Sequence, residues 1–292
     1  MTLGIRDIIV EAFAADADRV QYVHGGSINQ AAKVTVRGST YFIKWKNDAA
    51  PGFFEAEAHG LGLLREADKL RVPAVLKHAE QEGERPAYLI LEWLEESSRV
   101  ETLSFAVTFG RALAALHRMT APTFGLDRDN FIGALPQLNT LTADWLTFYR
   151  DRRLAPQVAL AHERGRLTPD RERLLRRMID GLDRLLDAPA SPPSLLHGDL
   201  WSGNFMVLAD NQPAVLDPAA YYGDREIELA FTELFGGFPS SFYAAYREAF
   251  PLERGYERRK PLYQLYPLLV HLNLFGENYG ERVDAICRQY VG

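Results

Sequence analysis

A single cysteine, Cys287, stands among 292 residues, which excludes an internal disulfide and a thiolate-based metal site. Positive charge is not in excess: 33 Lys and Arg face 39 Asp and Glu, a net charge of −6. General nucleic-acid binding needs a basic face, so that class is set aside. No apolar stretch approaches the length of a membrane span; Tyr266 to Phe275 is interrupted by His271 and Asn273. The amino terminus, Met1-Thr2-Leu3-Gly4-Ile5-Arg6-Asp7, carries charge too early for a secretory leader. Internal repeats and low-complexity tracts are missing as well. These absences lead us to expect a cytoplasmic protein with no membrane or nucleic-acid partner. Its length suits two lobes better than one small core.

The densest chemistry lies in Leu196-His197-Gly198-Asp199-Leu200-Trp201-Ser202-Gly203-Asn204, followed by Val215-Leu216-Asp217-Pro218. An aspartate, an asparagine five residues on and a second aspartate stand at the ends of two short apolar runs. Moving the γ-phosphoryl group of ATP onto a hydroxyl requires a carboxylate that takes the hydroxyl proton. It also requires oxygen ligands for the Mg2+ that neutralises the triphosphate. Asp199 suits the first task, and Asn204 with Asp217 the second. The order His-x-Asp-Leu-x-x-x-Asn, then Asp, is that of the protein-kinase catalytic loop and its metal aspartate. Gly198 replaces the loop arginine, and Asp217-Pro218 replaces Asp-Phe-Gly. The alternative is a turn-rich loop whose Asp199 and Asn204 bond only their own backbone. Three polar residues in register with an apolar frame speak against it.

Upstream, Ile5 to Phe13 reads as a short amphipathic helix. Strand-like runs follow at Val20 to Val23, Ala32 to Val36 and Tyr41 to Trp45, with Gly38-Ser39 as a hairpin turn. Pro51 opens a helical stretch to about Lys69, with Phe54, Ala58, Leu61 and Leu64 at helical spacing. Ala74 to Lys77 and Tyr88 to Glu92 complete a five-stranded antiparallel sheet carrying one helix. Beyond Leu94 the pattern changes to long helices, clearest at Leu103 to His117, Trp145 to Leu160 and Pro169 to Leu186. Short strands follow at Asn204 to Leu208 and Ala214 to Leu216, and further helices begin near Arg225, Ser240, Glu257 and Glu281. The expected architecture is α+β and bilobal. Residues 1–93 would form a nucleotide-binding lobe and 94–292 a mainly helical catalytic and substrate lobe, with a cleft between them.

Lys44 ends a strand where kinases keep the lysine that holds the α- and β-phosphates. Glu57 or Glu55, in the following helix, supplies its ion-pair partner. Two residues apart, they project from faces about 200° apart, so only one reaches the cleft. Glu57 is preferred because it precedes the apolar run Leu61, Leu64. Gly25-Gly26-Ser27 lies between the first two strands, where backbone N–H groups approach phosphates closely or simply turn a hairpin. At the lobe junction the Glu92 carbonyl and the Leu94 amide are the expected adenine partners. His197 is read as an orienting residue beneath the loop, and Glu228 as a buttress accepting bonds from the loop backbone. His24, His59, His117 and His271 have no metal-ligand spacing.

Together these residues resemble the fructosamine-3-kinase (ketosamine-3-kinase) family, which is similar to aminoglycoside and choline phosphotransferases with a protein-kinase-like fold. The resemblance runs from about Val23 to Phe275. It rests on Gly25-Gly26-Ser27-Ile28, Lys44, Phe53-Phe54-Glu55-Ala56-Glu57, the His197 to Asn204 loop and Leu216-Asp217-Pro218-Ala219. Tyr222-Gly223-Asp224 and the Leu268 to Gly276 block with His271-Leu272-Asn273 complete it. It implies ATP-dependent phosphorylation of the 3-hydroxyl of a ketosamine, a sugar–amine adduct that is free or on a protein lysine. The phosphate then makes the adduct unstable and frees the amine. By the same resemblance Asp199 is the base, Asn204 and Asp217 are the Mg2+ ligands, and Lys44 with Glu57 holds the phosphates. Trp201 would stack on the sugar, unless it is a core tryptophan. His271 and Asn273 would line the acceptor pocket or simply pack. Some members carry a cysteine in the glycine-rich loop that permits redox-controlled dimerisation; Ser27 stands in that region here. Two rivals stay open, an aminoglycoside-type or other small-alcohol kinase and a pseudokinase binding module. The preferred ketosamine and the oligomeric state are not legible.

Overall fold

The computed structural model describes residues 3–23, 29–98, 100–186 and 191–292. Helix α1 (Leu3–Phe13) leads into strands β1 (Arg19–Val23), β2 (Gln30–Val36) and β3 (Ser39–Lys46). Helix α2 (Phe53–Ala67), β4 (Val75–Ala79) and β5 (Ala87–Glu92) follow, and the strands form one antiparallel sheet in the order β1-β2-β3-β5-β4. The β2–β3 turn is Arg37-Gly38, not Gly38-Ser39. Both turn residues have positive φ, at 49° and 77°, the twist that a tight hairpin needs. Ser39 already pairs with Val36.

The sheet carries two helices, one more than expected. Ile5, Ile8 and Ile9 of α1 pack with Val34, Ile43, Trp45 and Ile90 on one face. Phe54, Leu61 and Leu64 of α2 join Leu89 and Leu91 on the other. Alternation along β5 therefore places apolar residues on both faces, and all five residues Ala87 to Leu91 are buried. Because β3 alternates in the same way, Lys44 is turned to the α2 side, between Ile43 and Trp45.

The rest of the chain is mainly helical. It runs through α3 (Thr102–Leu116) to a small hairpin of β6 (Asn130–Ile132) and β7 (Leu135–Gln137). Next come α4 (Trp145–Phe148), a π-helical turn (Tyr149–Leu154) and α5 (Ala155–Glu163), then α6 (Pro169–Asp180) and α7 (Leu182–Leu185). The helix expected over 169–186 is thus divided, at Gly181 (φ −100°, ψ 7°). Strands β8 (Ser194–Leu196), β9 (Phe205–Val207), β10 (Pro213–Val215) and β11 (Tyr221–Gly223) precede α8 (Arg225–Leu234), α9 (Ser240–Ala249), α10 (Tyr256–Phe275) and α11 (Gly280–Val291). Strand β9 pairs with β10, and β8 with β11. The two ladders bracket the chemistry: the loop 197–204 leaves β8 and enters β9, and the segment 216–220 leaves β10 and enters β11. Arg71, beyond α2, bonds across to Pro213 and Val215 at 3.3 and 3.0 Å, which docks the sheet's flank on β10. Among the described residues no helix is long and apolar enough to cross a membrane.

Candidate active site

Catalytic-loop geometry begins with His197, which is fully buried. Its Nε2 lies 2.8 Å from the Leu216 carbonyl, and its Nδ1 accepts from the Asp199 amide at 3.3 Å. A carbonyl can only accept, so the ring carries its proton on Nε2. Burial holds the imidazole below its ordinary range, against the pull of nearby Glu228 and the Leu216 bond. His197 is therefore a neutral strut joining the loop to the 216–220 segment.

Asn204 folds back on the loop, its Nδ2 donating to the Asp199 carbonyl at 2.8 Å and to Asp199 Oδ2 at 3.0 Å. Burial, then the charge of Asp217, pushes the Asp199 carboxyl up to about 7; the Asn204 bond opposes the rise. Asp217 adopts the left-handed region at φ 55° and accepts from Lys44 Nζ at 2.9 Å. The same ammonium donates to Glu57 at 2.8 and 3.0 Å. Burial pulls the Lys44 pKa down, but Asp217 and Glu57 outweigh it and hold the ammonium above the ordinary lysine range. Glu55, on the opposite side of α2, pairs with Arg128 at 3.2 Å near the surface. Helix α2 also sits directly on the 216–220 segment, since a Cβ on Gly60 would touch Pro218 at 3.4 Å.

Beneath the loop, Glu228 accepts from the amides of His197 and Gly198 at 3.1 and 2.6 Å. Burial raises its pKa, yet the His117 bond and the surrounding charges and loop amide bring it below the ordinary range. His117, 2.9 Å from Glu228 and 2.8 Å from Tyr246 OH, completes this support. The sequence offers no local signal for His117, because its partners lie more than a hundred residues downstream. Gly198 is required where it stands: its φ is 84°, and any Cβ would collide with the Ala219 carbonyl. That contact explains why the kinase-loop arginine has no counterpart.

Asn204 Oδ1 and Asp217 Oδ2 accept no hydrogen bond among the described residues. One amide oxygen and one carboxylate oxygen are hard donors of the kind Mg2+ takes alongside phosphate oxygens, so the donor set fits that ion. At the end of β5 the Glu92 side chain is bound to Arg71 and to the Ala74 amide, its own amide donates to the Ala74 carbonyl at 2.9 Å, and Trp93 and Leu94 follow outside the strand. Gly25, Gly26 and Ser27 lie outside the described residues.

The fructosamine kinase family model matches residues 4–292. This chain belongs to the fructosamine kinase family. A probable ketoamine kinase of Enterococcus faecium is 40% identical over 92% of this chain and 94% of its own. The chloroplastic protein-ribulosamine 3-kinase of Arabidopsis thaliana is 35% identical over 97% of this chain and 86% of its own. A crystal structure of a candidate fructosamine-3-kinase from Thermobifida fusca superposes with a TM-score of 0.85 at 36% identity, covering 97% of both chains. The aminoglycoside phosphotransferase APH(4)-Ia, at 21% identity and TM-score 0.67 over the full length of both, shares the kinase-like fold.

Within this fructosamine kinase frame, Trp201 is 40% exposed and its indole covers Gly203, so it is not a core tryptophan. Asn273 does not line a pocket. It is 2% exposed, and its Nδ2 donates to the Gln157 carbonyl and side chain, both at 2.9 Å. His271 and Asn273 stand two residues apart on α10 and face nearly opposite directions; only one could have reached the acceptor. His271 Nδ1 is bonded to the Pro267 carbonyl at 2.7 Å, and its ring packs on Phe235 with centroids 4.6 Å apart. Phe235 leads into Gly236-Gly237, and Gly237 packs against Ser202 beside Trp201. His271 thus packs on the aromatic side chains of Phe235 and its neighbours, whereas Asn273 faces α5. The lone thiol, Cys287, is buried, which pushes its pKa up to about 12, so it is poorly reactive.

Proposed function

We propose that this member of the fructosamine kinase family transfers the γ-phosphoryl group of ATP to the 3-hydroxyl of a ketosamine, free or on a protein lysine. The observation that carries the reading is one ammonium, Lys44, held between Glu57 and Asp217 near a half-buried Asp199 that Asn204 already orients. In this reading Lys44 meets the α- and β-phosphates, for which Gly25, Gly26 and Ser27 would supply backbone N–H groups. The Glu92 carbonyl and the Leu94 amide meet adenine. Asn204 and Asp217 would hold Mg2+, whose charge neutralises the triphosphate when bound. Asp199 accepts the proton of the acceptor hydroxyl as its oxygen bonds the γ-phosphorus. The bond from that phosphorus to the β–γ bridging oxygen breaks, and ADP leaves with the electron pair. His197 and Glu228 transfer no proton; they hold the loop backbone in place.

On the acceptor side, the exposed Trp201 ring offers a flat apolar face to a sugar, and in this reading His271 lines the acceptor pocket. Trp201→Ala should lower kcat/KM for ketosamines by about tenfold or more, the loss of such a buried contact being worth about 1.5 kcal/mol. The Kd for ATP should hardly change. Ribulosamines should outperform fructosamines, since a misfit of one hydroxymethylene is worth about 1–3 kcal/mol. A panel of ketosamines and aminoglycosides, read by ADP release, tests the function itself. Kanamycin turnover without ketosamine turnover would move the chain to the aminoglycoside reading. Unchanged ketosamine kinetics in Trp201→Ala would remove the stacking role.

A further inference from the structure

The hairpin β6–β7 and the residues after it carry three amides outside the reaction scheme. Asn130, Gln137 and Asn139 are all buried, a costly arrangement unless their polar atoms are matched. Gln137 Nε2 donates to the Ala219 carbonyl at 3.0 Å and to Asn130 Oδ1 at 2.8 Å, and Gln137 Oε1 accepts from Tyr266 OH at 2.7 Å. Asn130 Nδ2 donates to the Ala220 carbonyl at 2.8 Å. Asn139 Nδ2 donates to Asn130 Oδ1 at 2.9 Å, and Asn139 Oδ1 accepts from the buried Arg153 at 2.8 Å.

The two carbonyls held in this way belong to the second and third residues after Asp217. Asp217 itself sits at φ 55°, a conformation that a residue with a Cβ keeps only when its surroundings impose it. Ala219 is gripped from both ends: its N–H donates to the His197 carbonyl at 2.9 Å, and its C=O takes the Gln137 amide. The hairpin therefore holds the segment bearing Asp217 where Ala219 meets the loop bearing Asp199, although among the described residues it makes no hydrogen bond to either carboxylate.

We propose that Gln137 and Asn130 are positioning residues that set the direction of the Asp217 carboxylate through the Ala219 and Ala220 carbonyls. The inference rests on the reading of Asp217 as a Mg2+ ligand. Gln137→Met keeps the side-chain volume and removes both donors. Tyr266→Phe removes only the hydroxyl that orients Gln137, and it decides the matter if the first variant fails to fold. Each full-length protein is assayed for turnover against magnesium concentration, for Mn2+ binding in the presence of ADP by calorimetry, and for Tm. In Gln137→Met the magnesium needed for half-maximal rate should rise about tenfold, and Mn2+ affinity should fall to match, as for other residues that orient a metal ligand. ADP affinity without metal should stay constant. Tyr266→Phe should shift both quantities in the same direction by less. A lowered Tm with wild-type metal dependence in the variants that fold would overturn the inference and leave a packing network. Asp217→Ala serves as the comparison. If it loses the metal response and Gln137→Met does not, the inference alone falls; if it keeps that response, the ligand reading falls and the inference with it.

Discussion

Replacing Asp199 by Asn should lower kcat by about a hundredfold or more, the order of general-base and positioning effects, while ATP affinity is nearly kept. The substitution preserves the shape that packs against Asn204 and removes only the capacity to take a proton. A pH profile separates this loss from general damage. The base works as the carboxylate, and burial together with the Asp217 charge pushes the group up to about 7. Activity of the wild type should therefore be present above that value and fall tenfold per pH unit as the pH drops through it. Raising magnesium should move this limb to lower pH, because the Asp217 charge that contributes to the rise is then offset. In Asp199→Asn the limb should vanish along with most of the rate. Wild-type-like turnover, or an unchanged acidic limb in the variant, would take the proton-accepting role away from Asp199.

Much of this site was legible because its residues are local in sequence or follow a strong period. The loop 197–204 and Asp217 carry a fixed spacing. Lys44 and Glu57 lie on a strand and a helix whose apolar alternation decides which way each side chain turns. The same alternation separates Glu57 from Glu55, and the helical repeat separates His271 from Asn273. For the second pair the sequence does not say which residue faces inward, because α10 is apolar over most of its circumference. Of the three-residue strands, β9 and β10 are legible because they flank the loop motif, and the others are not. Strands β6, β7, β8 and β11 span three residues each, too few to display a period of two. With them went the hairpin amides and His117, whose meaning depends on backbone carbonyls and carboxylates far away in the chain. Helix α1 was visible, but its docking on the sheet was not: amphipathicity shows that a face is buried without naming what covers it.

Asp217→Ala and Lys44→Met should fail in different ways, although the two side chains are bonded to each other. Asp217→Ala should bring metal-dependent turnover down by about a thousandfold, the upper range for deleting one electrostatic contributor to a transition state. Its side chain is 47% exposed, so little stability should be lost. Lys44→Met is the reverse case. The Lys44 and Glu57 side chains are only 6% and 11% exposed, and removing one partner of a buried pair typically costs about 3–5 kcal/mol. Burial already pulls the Glu57 carboxyl upward against the opposing Lys44 charge, so without the ammonium Glu57 should take up a proton. Its loss of Tm should therefore shrink as the pH is lowered. Calorimetric titration of ADP with and without magnesium distinguishes the two variants. Asp217→Ala should bind ADP equally with and without the ion, and Lys44→Met should bind weakly in both cases yet still respond to it. A full magnesium response in Asp217→Ala would show that the metal ligand lies elsewhere, and unaltered ADP affinity in Lys44→Met would remove Lys44 from the phosphates.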